Sequence, residues 1–116
     1  MIHYAGIGAR ATPEYVLGQM RQISQVAAQR GWVLRSGGAR GADTAFEEGC
    51  DIAKGSKEIF LPWQGFNNNR SPLYPVDDNA IALAKEIHPA YNSLSSSAKL
   101  LVGRNMHQIL GVRLVS

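Results

Sequence analysis

Two glycine-rich runs in this sequence stand where a backbone could come close to an anion. Ser36-Gly37-Gly38-Ala39-Arg40-Gly41-Ala42-Asp43 places three glycines within five residues, between an apolar strand-like run and a helix-like one. A helix start offers unpaired N–H donors and a partial positive charge, and glycines let a ligand approach them, so the segment suits a phosphate. Arg40 sits inside the turn, where its guanidinium can add a bidentate contact to phosphate oxygens. The same glycines also suit a tight strand-to-helix turn that holds nothing. On the phosphate reading an anion occupies the turn at 37–42, and Gly38→Val abolishes binding while the domain stays folded.

The other run is Gly6-Ile7-Gly8-Ala9-Arg10, at the end of the first apolar segment. Open α/β sheets place ligands beyond the carboxyl ends of their strands, which would turn Arg10 toward the cavity that Arg40 faces. A glycine pair ending a strand is equally a plain punctuation mark. The sequence has neither a glycine-rich loop followed by Lys and Ser or Thr, nor Gly-x-Gly-x-x-Gly, which disfavours an ATPase or a conventional dinucleotide enzyme.

Other polar residues carry two readings each. Asp43 is a base or a ribose-hydroxyl acceptor, or an acid placed in the first helical turn for the dipole. Glu47 and Glu48 fit a solvated face better than a catalytic pair. His3, His88 and His107 have no spacing that suggests a metal site, and His88 before Pro89 reads as a helix-end cation. Trp63, Phe66 and Tyr74, with Arg70 among them, either stack on a base or cover a sheet edge or subunit contact. Asn105, four residues after Leu101 and beside Arg104, either lines the ligand cavity or makes a core hydrogen bond.

The elements that must position these residues follow from periodicity. Ile2 to Ile7, Trp32 to Arg35 and Lys57 to Leu61 predict three buried strands. Between them, Thr12 as cap and Pro13 at the first helical position open a helix with Val16, Met20, Ile23 and Ala27 inward, stopped by Gly31. A second helix follows the glycine turn with Ala45, Phe46, Cys50 and Ala53 apolar. Alternating strands and helices with short connections predict a small Rossmann-like, doubly wound and mainly parallel sheet flanked by helices, in one domain spanning 1–116. After a long loop from Trp63 to Pro75, a helix capped by Asp77 or Asp78 runs to His88-Pro89. A last helix spans Ser93 to Leu110, with Leu94, Ala98, Leu101 and Ile109 on one stripe and Gly111 as its end. Gly111 to Ser116 reads as the approach to another strand, as though the chain were truncated at its C-terminus.

Composition bounds the function classes. The chain has 116 residues, 45% of them apolar and 18% charged, which supports one core and excludes a disordered or collagen-like chain. A net charge of +3 leans toward a polyanionic partner. The single cysteine, Cys50, the lack of a signal-like N-terminus and the lack of a long apolar run point to a cytoplasmic protein with no membrane partner. An uncovered sheet edge suggests a homo-oligomer. No cofactor and no metal are expected.

The first turn and the stretch Leu34-Arg35-Ser36-Gly37-Gly38-Ala39-Arg40-Gly41-Ala42-Asp43 together resemble the Rossmann-like SLOG superfamily, nearest the DNA-processing recombination mediator A (DprA/Smf) group. The resemblance covers roughly residues 2–61. Leu61-Pro62-Trp63 and Leu101-Val102-Gly103-Arg104-Asn105 look more like small phage-type relatives of that group. The superfamily's members bind single-stranded DNA, sense nucleotide-derived signals or hydrolyse nucleoside monophosphates, so the resemblance implies nucleotide phosphate as ligand. The sequence lacks the hydrolase branch's Pro-Gly-Gly-x-Gly-Thr-x-x-Glu element and the further sequence that usually follows this domain in the mediators. The expected partner is a nucleotide or a single-stranded nucleic acid, held by Gly6, Gly8, Arg10 and Ser36 to Gly41 with Asp43. The alternative is an N-glycosidic hydrolase using Asp43 or Glu47.

Overall fold

A computed structural model describes residues 1–114. Three strands, β1 (His3–Ala5), β2 (Val33–Ser36) and β3 (Lys57–Ile59), form one parallel sheet in the order β1-β2-β3, with Tyr4 opposite Leu34 and Arg35 opposite Glu58. Helices α1 (Glu14–Gln29) and α2 (Ala42–Ile52) are the crossovers; α3 (Asp78–Ile87) and α4 (Ser96–Leu110) complete the domain. It is a small α/β fold of the Rossmann-like kind.

Strand side chains alternate between faces, and that alternation builds two layers. Leu34 turns toward α1 and α2 and is fully buried with Cys50, Ile59 and Leu61, against Tyr4, Ala28 and Phe46. Burying Leu34 and Leu61 contributes about 1.5–3 kcal/mol each. Arg35, next in the strand, turns the other way, pairing with Glu58 at 3.0 Å and donating to the Ile109 carbonyl at the end of α4. So α4 covers the opposite face. Ser24 on α1 ties the first layer together, donating to the Phe46 carbonyl of α2 and meeting the Tyr4 hydroxyl at 3.0 Å.

Several boundaries differ from the sequence expectation. Pro13 is the cap of α1 and not its first helical residue, while Thr12 gives its hydroxyl to the Ala9 carbonyl, serving the preceding turn. Ile23 of α1 is 56% exposed, because the α2-facing stripe runs through Ser24 and Ala27 instead. β1 and β3 are each three residues long, and the chain beyond β3 continues as a bridge from Phe60 to Leu73. The long loop thus folds back along β3, with Ser71 donating to the Ile59 carbonyl. The last helix starts at Ser96 behind a Ser95 cap, after a separate 3-10 turn at Tyr91–Ser93. Gly31 (φ +78°) ends α1 and Asp77 caps α3 as expected. Residues 111–114 form turns and no strand; Val115 and Ser116, in the expected extra strand, lie outside the described residues. No helix among the described residues is long and apolar enough to cross a membrane.

Candidate functional site

The two glycine runs meet at the carboxyl ends of β1 and β2. Ser36 Oγ donates to the Gly6 carbonyl at 2.6 Å, and the Ala42 amide, first of α2, donates to the Ala9 carbonyl at 3.2 Å. A Cβ on Gly8 would stand 2.7 Å from Ala42 Cβ, and one on Gly41 would run into the Ala9 and Arg10 carbonyls. Glycine is needed at these positions so that one turn can lie on the other.

Gly37 and Gly38 face protein, whereas Ala39, although buried, lines a cavity with Gly8, Arg10 and Asp43. A Cβ on Gly37 would lie 2.6 Å from Gln108 Nε2 and 2.7 Å from Arg104 Nη1, both reaching in from α4. Gly38 (φ +69°) faces Leu61, where a Cβ would meet Cδ2 at 2.9 Å. Gly38→Val therefore does not act by filling ligand space. It is expected to destabilise the fold by about 2–4 kcal/mol through left-handed strain and overpacking. A lowered urea midpoint checks this; an unchanged midpoint with binding abolished would restore the original expectation.

Asp43 is 4% exposed, and its Oδ2 accepts the Ala39 amide at 3.4 Å. The chain's own carboxylate thus sits against the glycine turn. Burial pushes its pKa up, and the Ala39 amide and then the Arg104 charge oppose that only in part. The folded state therefore holds a proton on Asp43 to higher pH than the unfolded chain, where the value is about 3.9. Between those two values the folded state binds more protons, so stability falls as pH rises through the raised folded value. Asp43→Asn is expected to remove that part of the slope in urea midpoints measured from about pH 4 to neutrality; an identical slope in both proteins would refute the assignment.

Arg104 is the buried counterpart, 5% exposed. Nη1 donates to the Gly37 carbonyl at 2.5 Å and the Phe60 carbonyl at 3.2 Å, while Nε donates to Asn105 Oδ1 at 3.1 Å. Burial lowers its pKa, Asp43 acts against that, and Arg10 adds to it. The Phe66 ring lies 5.5 Å from the Arg104 guanidinium and packs edge-on against Trp63 at 5.2 Å.

Comparison of the chain with protein-family models, with curated proteins and with solved structures gives no match.

Outside the buried layer, Arg10 and Arg40 are exposed and come from different turns, yet with Phe66 and Asn67 they line one cavity of about 430 Å³. Asn67 pins the loop here, donating to the Gly38 carbonyl at 3.0 Å. Asn67 and Asn68 take left-handed φ values of +52° and +59°, which asparagine tolerates better than most residues. A second cavity, about 400 Å³, is lined by Gly8, Arg10, Asp43, Arg104 and Asn105 among others.

Two expected members lie elsewhere. Tyr74 packs on the Leu34 and Leu61 core, as half-buried Phe66 also does, but lines neither arginine cavity, and Arg70 lines a cavity of about 680 Å³ along β3. In that larger cavity Lys57 is already paired with Glu47 and Asp51, each at 2.7 Å, and Asn69 donates to Glu47. Asn105 is exposed on α4, and not on a buried stripe. His107 serves structure: Nε2 accepts the Asp77 amide, which leaves Nδ1 to donate to the Gly111 carbonyl. His88 Nδ1 accepts the Ala90 amide beyond the end of α3. Asn67 and Gln108 were not singled out from the sequence; the asparagine run and the four-residue spacing of Gln108 from Arg104 are the signals that mark them.

Proposed function

We propose that this chain binds nucleotide phosphate, in a nucleotide or a single-stranded nucleic acid, between Arg10 and Arg40, with Phe66 as the stacking surface for a base. One observation carries the reading: Arg10 and Arg40, from separate turns, line a single cavity together with Phe66. Among the described residues neither forms an ion pair, and the one side-chain partner of Arg40 is the neutral Asn67, whose Oδ1 accepts from Nε at 3.5 Å. Unpaired arginines suit planar, bidentate anion recognition, and an adjacent ring suits a base of any identity. The resemblance of both glycine turns to the SLOG superfamily fits the same reading. In this proposal the glycines set the distance between the arginines, and the arginines touch the ligand.

The hydrolase alternative finds one favourable feature, the raised pKa of Asp43 beside a cavity. Against it, Glu47 is engaged by Lys57 and Asn69, which leaves no free second carboxylate for a two-acid mechanism there.

Calorimetric titration with thymidine 5′-monophosphate and with a thymidine oligonucleotide tests the proposal. Arg40→Ala and Arg10→Ala are each expected to weaken binding by about 1.5–3 kcal/mol, the usual contribution of a hydrogen bond to a charged group. Arg30→Ala, at the far end of α1, is expected to change little. With an oligonucleotide, either cleft variant should also lower the slope of log affinity against log salt by about one. Equal losses for Arg30 and Arg40 would mean diffuse attraction, and the cleft would then be abandoned.

A further inference from the structure

Arg10 borders two cavities at once. On one side are Arg40, Phe66 and Asn67, around about 430 Å³; on the other are Asp43, Arg104, Gln108 and Ile109, around about 400 Å³. Small-molecule sites run from about 300 to 1,000 Å³, so each cavity has room for one nucleoside. Their linings differ in kind. The first presents two exposed arginines, Arg10 and Arg40, beside Phe66. The second has a floor of buried polar side chains, with Asp43, Arg104 and Gln108 at 4%, 5% and 3% exposure, beneath an apolar rim of Ile7 and Ile109 at 41% and 58%.

That floor and rim match a nucleoside: aliphatic surface for a base or sugar to rest on, and donors and acceptors for its polar edge. Asp43 supplies acceptor oxygen, Gln108 both donor and acceptor, and Arg104 donors only. Arg104 also connects the two spaces, since its guanidinium lies 5.5 Å from the Phe66 ring while lining the second cavity. A ligand filling only the first cavity would not reach this second lining, where Asp43 and Arg104 already hold the fold through Ala39, Gly37 and Phe60.

We propose that the ligand is two nucleotide units long, with its bridging phosphodiester on Arg10 and one unit in each cavity. The proposal rests on the phosphate-binding reading above and adds the length and path of the ligand. The shared chemistry is two nucleosides joined by a phosphodiester, present in a free dinucleotide and in each step of a single strand.

Titrating thymidine 5′-monophosphate, the 5′-phosphorylated thymidine dinucleotide and the hexanucleotide at one salt concentration tests this, with the deoxyadenosine series in parallel to allow for base preference. The dinucleotide is expected to bind about tenfold or more tightly than the monophosphate, equivalent to ~1.4 kcal/mol. A hexanucleotide no tighter than the dinucleotide, beyond its greater number of registers, assigns a free dinucleotide as ligand; a further gain with a steeper salt dependence assigns a strand. Ile109→Trp, at an exposed position, places a ring over the second cavity and is expected to bring dinucleotide and monophosphate to one affinity, with circular dichroism showing the fold retained. Equal affinities of the two ligands in the unmodified protein, or a dinucleotide advantage that survives Ile109→Trp, would overturn the two-unit path while leaving a one-nucleotide site in place. No binding by either series would remove both proposals.

Discussion

Gly41→Val is expected to cost about 3–5 kcal/mol of folding stability, combining a backbone conformation closed to branched residues with a clash against main chain. Gly41 has φ +78°, and any Cβ there would run into the Ala9 and Arg10 carbonyls. A side-chain clash can be relieved by a rotamer change; this one requires a turn to move. The Ala42 amide would lose the Ala9 carbonyl at the same time, leaving the start of α2 one donor short. Equilibrium unfolding in urea measures the loss, and a change under about 1 kcal/mol would show that the turns do not pack as described.

The second large effect belongs to Arg104. Arg104→Ala is expected to destabilise by about 3–5 kcal/mol, since it strands the Gly37 and Phe60 carbonyls and leaves Asp43 buried without its nearby positive charge. Arg104→Lys should recover only part of that, because an ammonium cannot copy the planar fork that reaches two carbonyls and Asn105 together. Thermal and urea unfolding of the two variants check the ranking. A lysine variant as stable as the unmodified protein would mean that the charge alone matters here.

These two residues mark where the sequence was legible and where it was not. Strand, helix and turn order along the chain followed from local signals: Gly31 punctuates α1, Asp77 caps α3, and glycines separate β2 from α2. What the glycines are for was not local. Gly41 is required by Ala9 and Arg10, some thirty residues earlier, and no periodicity reports such a contact. Gly38 looked like space for a phosphate and is instead packed on Leu61.

The last helix shows a different limit. Apolar spacing chose Leu94, Ala98, Leu101 and Ile109 as its inner stripe, yet α4 buries Gly103, Arg104, His107 and Gln108, while Ile109 is 58% exposed. The surface beneath it explains the reversal. Where β2 and β3 end, the Gly37 and Phe60 carbonyls have no further strand to satisfy them, so the helix brings donors there. A hydrophobic pattern finds faces that meet apolar cores and misses a face that meets strand ends.

The most direct test of the phosphate site is a crystal structure of the chain with thymidine 5′-monophosphate. The phosphate is expected between the guanidinium groups of Arg10 and Arg40, with the base against Phe66 and the Asp43 carboxylate still held by the Ala39 amide. A phosphate that displaces Asp43 from the glycine turn, or that binds beside Lys57 and Arg70 along β3, would contradict the account.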